Sequence, residues 1–71
     1  MRHGYAHEVD CSHCGRRVSI RRVLDEGGLG DVVGVLEECD DQSFHVRDKH
    51  GRLVAVARAD VVASRVVRAR G

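Results

Sequence analysis

The sequence contains no proline, tryptophan, threonine or asparagine, and its only aromatic residues are Tyr5 and Phe44. Without a row of Tyr and Trp it cannot build the groove that grips Pro-rich peptides, and it offers few rings on which unpaired bases could stack. No apolar run approaches the roughly 20 residues that span a bilayer, and residues 1–10 hold no apolar stretch of the kind that marks a secretory leader. A soluble cytoplasmic protein with no membrane partner is expected. Length sets a further limit: 71 residues make one domain or less, and a chain this short hides only about 60% of the surface its unfolded form exposes. That argues against a deep, enclosed active site. Lysine is also scarce, because Lys49 alone stands against 11 arginines. With abundant Val, Ala, Gly and Asp, that bias indicates a GC-rich genome, which bears on origin and not on activity.

Valine is abundant, at 13 residues, and its stiff χ1 suits a pleated surface. Residues 16–24 alternate, with Val18 and Ile20 on one face and Arg17, Ser19 and Arg21 on the other, the period-2 mark of a half-buried strand. Residues 25–30 (DEGGLG) read as a flexible connection. Residues 31–39 (DVVGVLEEC) are nearly continuous in apolar side chains, and Gly34 in their middle marks a bulge or sharp bend. Asp40, Asp41 and Gln42 make a tight turn. Residues 43–48 alternate again, with Phe44 and Val46 inward, and Lys49-His50-Gly51 fits a short hairpin loop with glycine at the left-handed position. Residues 53–57 form a fourth strand with Val54 and Val56 inward, residues 58–60 interrupt it as a single 3-10 turn would, and residues 61–67 supply a last strand. No sustained 3.6-residue stripe appears. The expected fold is all-β: a small five-stranded SH3-like barrel over residues 15–68, with an irregular N-terminal arm (1–14) lying outside the core and a basic tail (69–71). A Sm-like barrel shares the strand pattern but ordinarily begins with a helix, for which the arm has no amphipathic period.

Net charge is only +1, but charge is laid out in blocks. Arg16, Arg17, Arg21 and Arg22 crowd seven residues. Residues 25–41 then carry seven acidic side chains and no basic one, and the remainder is basic, ending in Arg65, Arg68 and Arg70. In an SH3-like barrel the first and last strands are close, so these seven arginines are expected to gather into one surface with the acids elsewhere. Such a patch suits phosphates, whose neutralisation releases counterions and makes affinity salt-sensitive. The plainer reading is that the arginines solvate the barrel and pair with its own acids, each pair contributing little.

Three cysteines, Cys11, Cys14 and Cys39, are an odd number without a secretory leader, which argues against a disulfide framework and for reduced thiols or a metal site. Cys11-Ser12-His13-Cys14-Gly15 is a C-x-x-C knuckle whose two thiolates can share one Zn²⁺ at about 2.3 Å. A structural site needs four ligands and there is no second C-x-x-C. His3 and His7 are the nearest candidates to complete a Cys₂His₂ set with Cys11 and Cys14, and His13, Cys39 and His45 are the other donors. The two readings left open are zinc and an unstructured reduced pair. No βαβ context supports a redox enzyme. Nothing else makes a catalytic set: Gly27, Gly28 and Gly30 lack the strand-to-helix setting of a phosphate loop, His45 and His50 flank a hairpin and do not form a dyad, and the serines have no nucleophile context.

The stretch from residue 15 to 67 resembles the SH3-like module that precedes the catalytic domain of bacterial GNAT-type N-acetyltransferases. The pieces that carry the resemblance are DVVGVLEECDD (31–41), V-R-D-x-x-G (46–51) and R-A-D-V-V-A-S (58–64), although a similar pattern recurs in the C-terminal module of biotin-protein ligases. The resemblance implies an accessory barrel without acetyltransferase chemistry of its own, since in that family acetyl-CoA binds in a GNAT domain that this sequence does not include. Where related modules tend to carry proline before the R-A-D turn, this chain has Ala57, and the Cys/His arm has no counterpart. The expected function is a non-enzymatic interaction module for a protein partner or a covalently linked acetyltransferase domain, acting through loops such as residues 25–31. The competing expectation is a nucleic-acid-binding barrel that uses the arginines and is stabilised by zinc.

Overall fold

Alternating valines and charged residues produce five strands in a computed structural model that describes residues 7–68. They are β1 (Arg17–Val23), β2 (Leu29–Cys39), β3 (Ser43–Asp48), β4 (Leu53–Ala57) and β5 (Val61–Val66). All pair antiparallel in one sheet of order β4-β3-β2-β1-β5. The chain is therefore an all-β, barrel-like fold, as the alternation predicts. Two 3-10 turns, Cys11–His13 and Arg58–Asp60, are its helical pieces among the described residues, and no helix is long and apolar enough to cross a membrane. The expected tail, residues 69–71, lies outside the described residues.

The inward faces meet in one core of Val9, Val18, Ile20, Val32, Leu36, Phe44, Val46, Val56 and Val66, with Val54 packed at its margin. β2 is long enough to serve two partners, pairing with β1 through Val35 and with β3 from Gly34 onward. Gly34 is thus shared by both ladders, opposite Val18 on one side and Asp48 on the other. A bulge was expected at this glycine, but the register shifts two residues on, between Leu36 and Glu38, and again between Arg21 and Arg22 of β1. Gly34 has a different task. A Cβ there would run into the carbonyl oxygen of Arg47 and lie 2.8 Å from its carbon, so the absent side chain is what lets β3 cross β2 this closely.

The turns are closed by carboxylates. Asp40 Oδ1 accepts from the amides of Gln42 and Ser43, both at 2.8 Å, and Asp48 Oδ1 accepts from the amides of His50 at 2.8 Å and Arg52 at 3.0 Å. Gly51 takes the left-handed conformation, φ 79°, as expected of the hairpin. The N-terminal segment is a correction. The arm was expected to lie outside the core, yet His7 bridges Ser64 of β5 in parallel and Val9 is buried. The Glu8 amide donates to the Ser64 carbonyl, the Val9 amide to Ser64 Oγ, and Glu8 Oε1 accepts from the Val66 amide. Residues 7–9 thereby cover the outer edge of β5 at Ser64 and Val66, where backbone groups would otherwise be unpaired.

Candidate functional site

Asp10 caps the first 3-10 turn, its side chain accepting from the Ser12 amide while His13 Nδ1 accepts from the Asp10 amide. This turn sets Cys11 beside the C-terminal end of β2, where its sulfur is bonded to that of Cys39 across a sequence separation of 28. Cys14 stays free and exposed. A disulfide was not expected, because the cysteine count is odd. The pairing uses two of the three and joins residues whose proximity exists only in the folded sheet. Of the two readings left open, an unstructured reduced pair and a zinc site, the second would have Cys11, Cys14, His3 and His7 converge on the metal. Here Cys11 has given its sulfur to Cys39, His7 lies on the β5 edge, and His3 is outside the described residues.

The other occupant of this corner is a cation. Arg58 Nη2 lies 3.0 Å from Cys39 Sγ and 3.4 Å from Cys11 Sγ. The Arg58 guanidinium also donates through Nε to the Asp40 carbonyl at 2.7 Å and stacks 4.4 Å from the centre of the Phe44 ring. No group of three or more metal-binding side chains forms among the described residues. A fixed guanidinium against both sulfurs is the wrong neighbour for a metal ion, so these residues do not fit zinc.

The predicted arginine cluster forms in part. β1 and β5 are neighbours, with Ser19 opposite Arg65 and Arg21 opposite Ala63, so Arg17, Arg21 and Arg65 share the outer face. Arg16 is exposed at the entry to β1, while Arg22 faces inward, half-buried, with Nε lacking a partner. Arg68 is exposed beyond β5, and Arg70 lies outside the described residues. The expected separation of charge fails. Antiparallel pairing lays the acidic block across the basic ones: Arg21 Nε donates to Asp31 Oδ1 at 2.9 Å and Arg47 holds Glu37 through two contacts at 3.0 Å, while Arg68 reaches Glu8 of the N-terminal segment at 3.2 Å. The blocks are a property of the chain, and the fold interleaves them.

Most of these contacts hold carboxylates below their ordinary range. The Asp31 carboxyl is lowered chiefly by its hydrogen bond from Arg21, and Glu37 by that from Arg47. Asp40 is lowered by the amides of Gln42 and Ser43, Asp48 by those of Arg52 and His50, and Asp10 by the Ser12 hydroxyl and amide. Since each folded-state value lies below the unfolded one, the stability these groups add is complete above about pH 4 and is lost as pH falls through the lowered values. The melting temperature is expected to be level near neutrality and to drop below about pH 4. Asp48→Asn should flatten that drop, as a pH series of thermal melts would record.

The same face carries exposed apolar side chains. Register aligns Arg17, Val35, Arg47 and Leu53 in one row across β1 to β4, and Arg65, Ser19 and Val33 in the next. Val33, Val35 and Leu53 are 40%, 38% and 45% exposed. The sequence points to loops such as residues 25–31 for a partner and does not single out this stripe, although its exposure is legible in residues 31–36: a continuous apolar run must turn half its side chains away from the core. Beside the stripe, Arg17, Arg22, Lys49 and His50 line a cleft of about 470 Å³ over Val32 and Val54, which also includes Asp31 and Asp48.

A family model described as the Rv0428c N-terminal Sm-like domain matches residues 12–65. No curated protein and no solved structure is significantly similar to the chain.

Proposed function

The chain belongs to this Sm-like domain family, and from that premise we propose that it is a non-catalytic interaction module whose outer sheet face docks on a protein, specifically a covalently linked GNAT-type acetyltransferase domain. The observation that carries the reading is the stripe of Val33, Val35 and Leu53 flanked by Arg17, Arg47 and Arg65. Apolar area beside arginines, with a single lysine in the whole chain, is the composition of protein contact surfaces, which are enriched in Arg and depleted in Lys. The family's description as an N-terminal domain and the likeness of residues 15–67 to GNAT-associated modules support a linked partner. A cytoplasmic setting belongs to the same proposal.

Nucleic acid is the competing partner, favoured by Arg17, Arg21 and Arg65 on one face. Against it, Phe44 is buried and unavailable for stacking, and Arg21 and Arg68 are engaged by Asp31 and Glu8. The test reads the coding frame past Gly71 and measures binding of the 71-residue chain to the domain found there by calorimetry. Binding weakened about tenfold or more by Val33→Asp with Val35→Asp is expected, with circular dichroism unchanged. A frame without an acetyltransferase domain, or binding indifferent to those substitutions, overturns the reading. Salt-sensitive mobility shifts with oligonucleotides would favour the competing one.

A further inference from the structure

The outer face leaves the sulfur corner unused, and its parts are those of a reactive centre. We propose that Cys11, Cys14 and Cys39 form a thiol–disulfide exchange site in which Cys14 attacks Cys11 Sγ and displaces Cys39, with Arg58 as the positioning residue for the departing thiolate.

Three observations converge on this. First, Cys14 is a free, exposed thiol, and the turn folds it back so that its amide donates to the Cys11 carbonyl at 3.4 Å. A turn closed between residues three apart holds their Cα atoms within about 7 Å, close to the span a disulfide bridges. Second, Arg58 is nearer to Cys39 Sγ, at 3.0 Å, than to Cys11 Sγ, at 3.4 Å. A permanent cation beside a sulfur favours its thiolate, and a better-stabilised thiolate leaves faster. Arg58 therefore marks Cys39 as the leaving group and Cys11 as the sulfur attacked. Third, Arg58 is fixed from three directions: by its Nε bond to Asp40, by its amide donating to the Gln42 carbonyl at 2.9 Å, and by the Phe44 ring.

The exchange balances without an outside reagent. Cys14 loses its proton to solvent, and its sulfur forms a bond to Cys11 Sγ. The Cys11–Cys39 bond breaks with its electron pair going to Cys39 Sγ, which stays as thiolate beside Arg58 or takes a proton from solvent. One disulfide exists before and after. What changes is the tether: with Cys11 joined to Cys39 the N-terminal segment is bolted to β2, and with Cys11 joined to Cys14 that covalent link is gone.

Peptide mapping tests this on the full oxidised chain. Protein held at mildly alkaline pH is quenched with N-ethylmaleimide and digested with trypsin without reduction. Cleavage after Arg16 and Arg22 leaves Cys11 and Cys14 on one peptide and Cys39 on another. Two populations are expected: a linked peptide pair labelled at Cys14, and a single peptide with an internal disulfide accompanied by labelled Cys39. Cys14→Ser should give the linked pair alone, with no label. Arg58→Gln should reduce labelled Cys39 about tenfold, the scale of a hydrogen bond to a charged group, and Arg58→Lys should restore much of it, which a merely structural role would not predict. Cys39 that is never labelled, Cys14 found paired between two chains, or an Arg58→Gln map identical to the wild type overturns the proposal.

Discussion

Gly34→Ala is expected to destabilise the fold strongly, with a clearly lower melting temperature and urea midpoint. The added methyl would overlap the Arg47 carbonyl and stand 3.0 Å from Asp48 Cα, and both are backbone of the central β2–β3 ladder. Strands held by register on either side cannot yield there without losing the pairing of Gly34 with Val18 or with Asp48. Overpacking typically costs about 1–3 kcal/mol and occasionally more, a large share of the roughly 5 kcal/mol that the core of a domain this small seldom exceeds. Gly30→Ala is the control: its Cβ would meet the Leu24 side chain at 3.0 Å, a flexible neighbour that can move aside. Far-UV circular dichroism and urea unfolding of the two variants should separate them. A Gly34→Ala protein with the melting temperature of the wild type would sink the close-crossing account.

Reduction of the Cys11–Cys39 bond is expected to cost about 3.5 kcal/mol, because the sequence separation of 28 sets the entropy the cross-link removes from the unfolded chain. On a core that by itself seldom supplies more than about 5 kcal/mol, that is a large share of the total stability. The Cys14→Ser background isolates the effect by leaving Cys11 a single partner. Urea titrations with and without a phosphine reductant should show a lower midpoint in the reduced protein. Coincident curves would mean that the bond adds no stability.

Where the sequence alternates between apolar and polar and ends on a turn residue, it specifies the strands closely. β3 and β4 begin and end where the alternation of residues 43–48 and 53–57 does, and the Arg58–Asp60 turn falls where that alternation breaks. The start of β2 is hidden because Leu29 and Gly30, which pair with Val23 and Arg22, sit in a glycine-rich run that carries no period. The place of Val9 in the core is hidden for another reason. One apolar residue has no pattern, and its partner Ser64 is 55 residues away. The sulfur corner was legible only in its ingredients, since three cysteines allow three pairings and nothing in the spacing chooses Cys39. Arg58 looked like a turn residue and nothing more. Charge misled for a geometric reason: blocks read along the chain say nothing of which block lies across the sheet, and antiparallel strands set Asp31 opposite Arg21.

The two borders of the sheet are unequal. β4 closes the order on one side with its own backbone, while β5 on the other is already occupied by residues 7–9, with Glu8 accepting from the Val66 amide. Head-to-tail growth by strand addition needs a donor border and an acceptor border on every copy. Residues 7–9 shield the β5 border around Ser64 and Val66, while β4 has no such cover among the described residues, so strand addition by another chain is easier at β4. The few residues ahead of the first turn thus act as a guard on one border of the sheet.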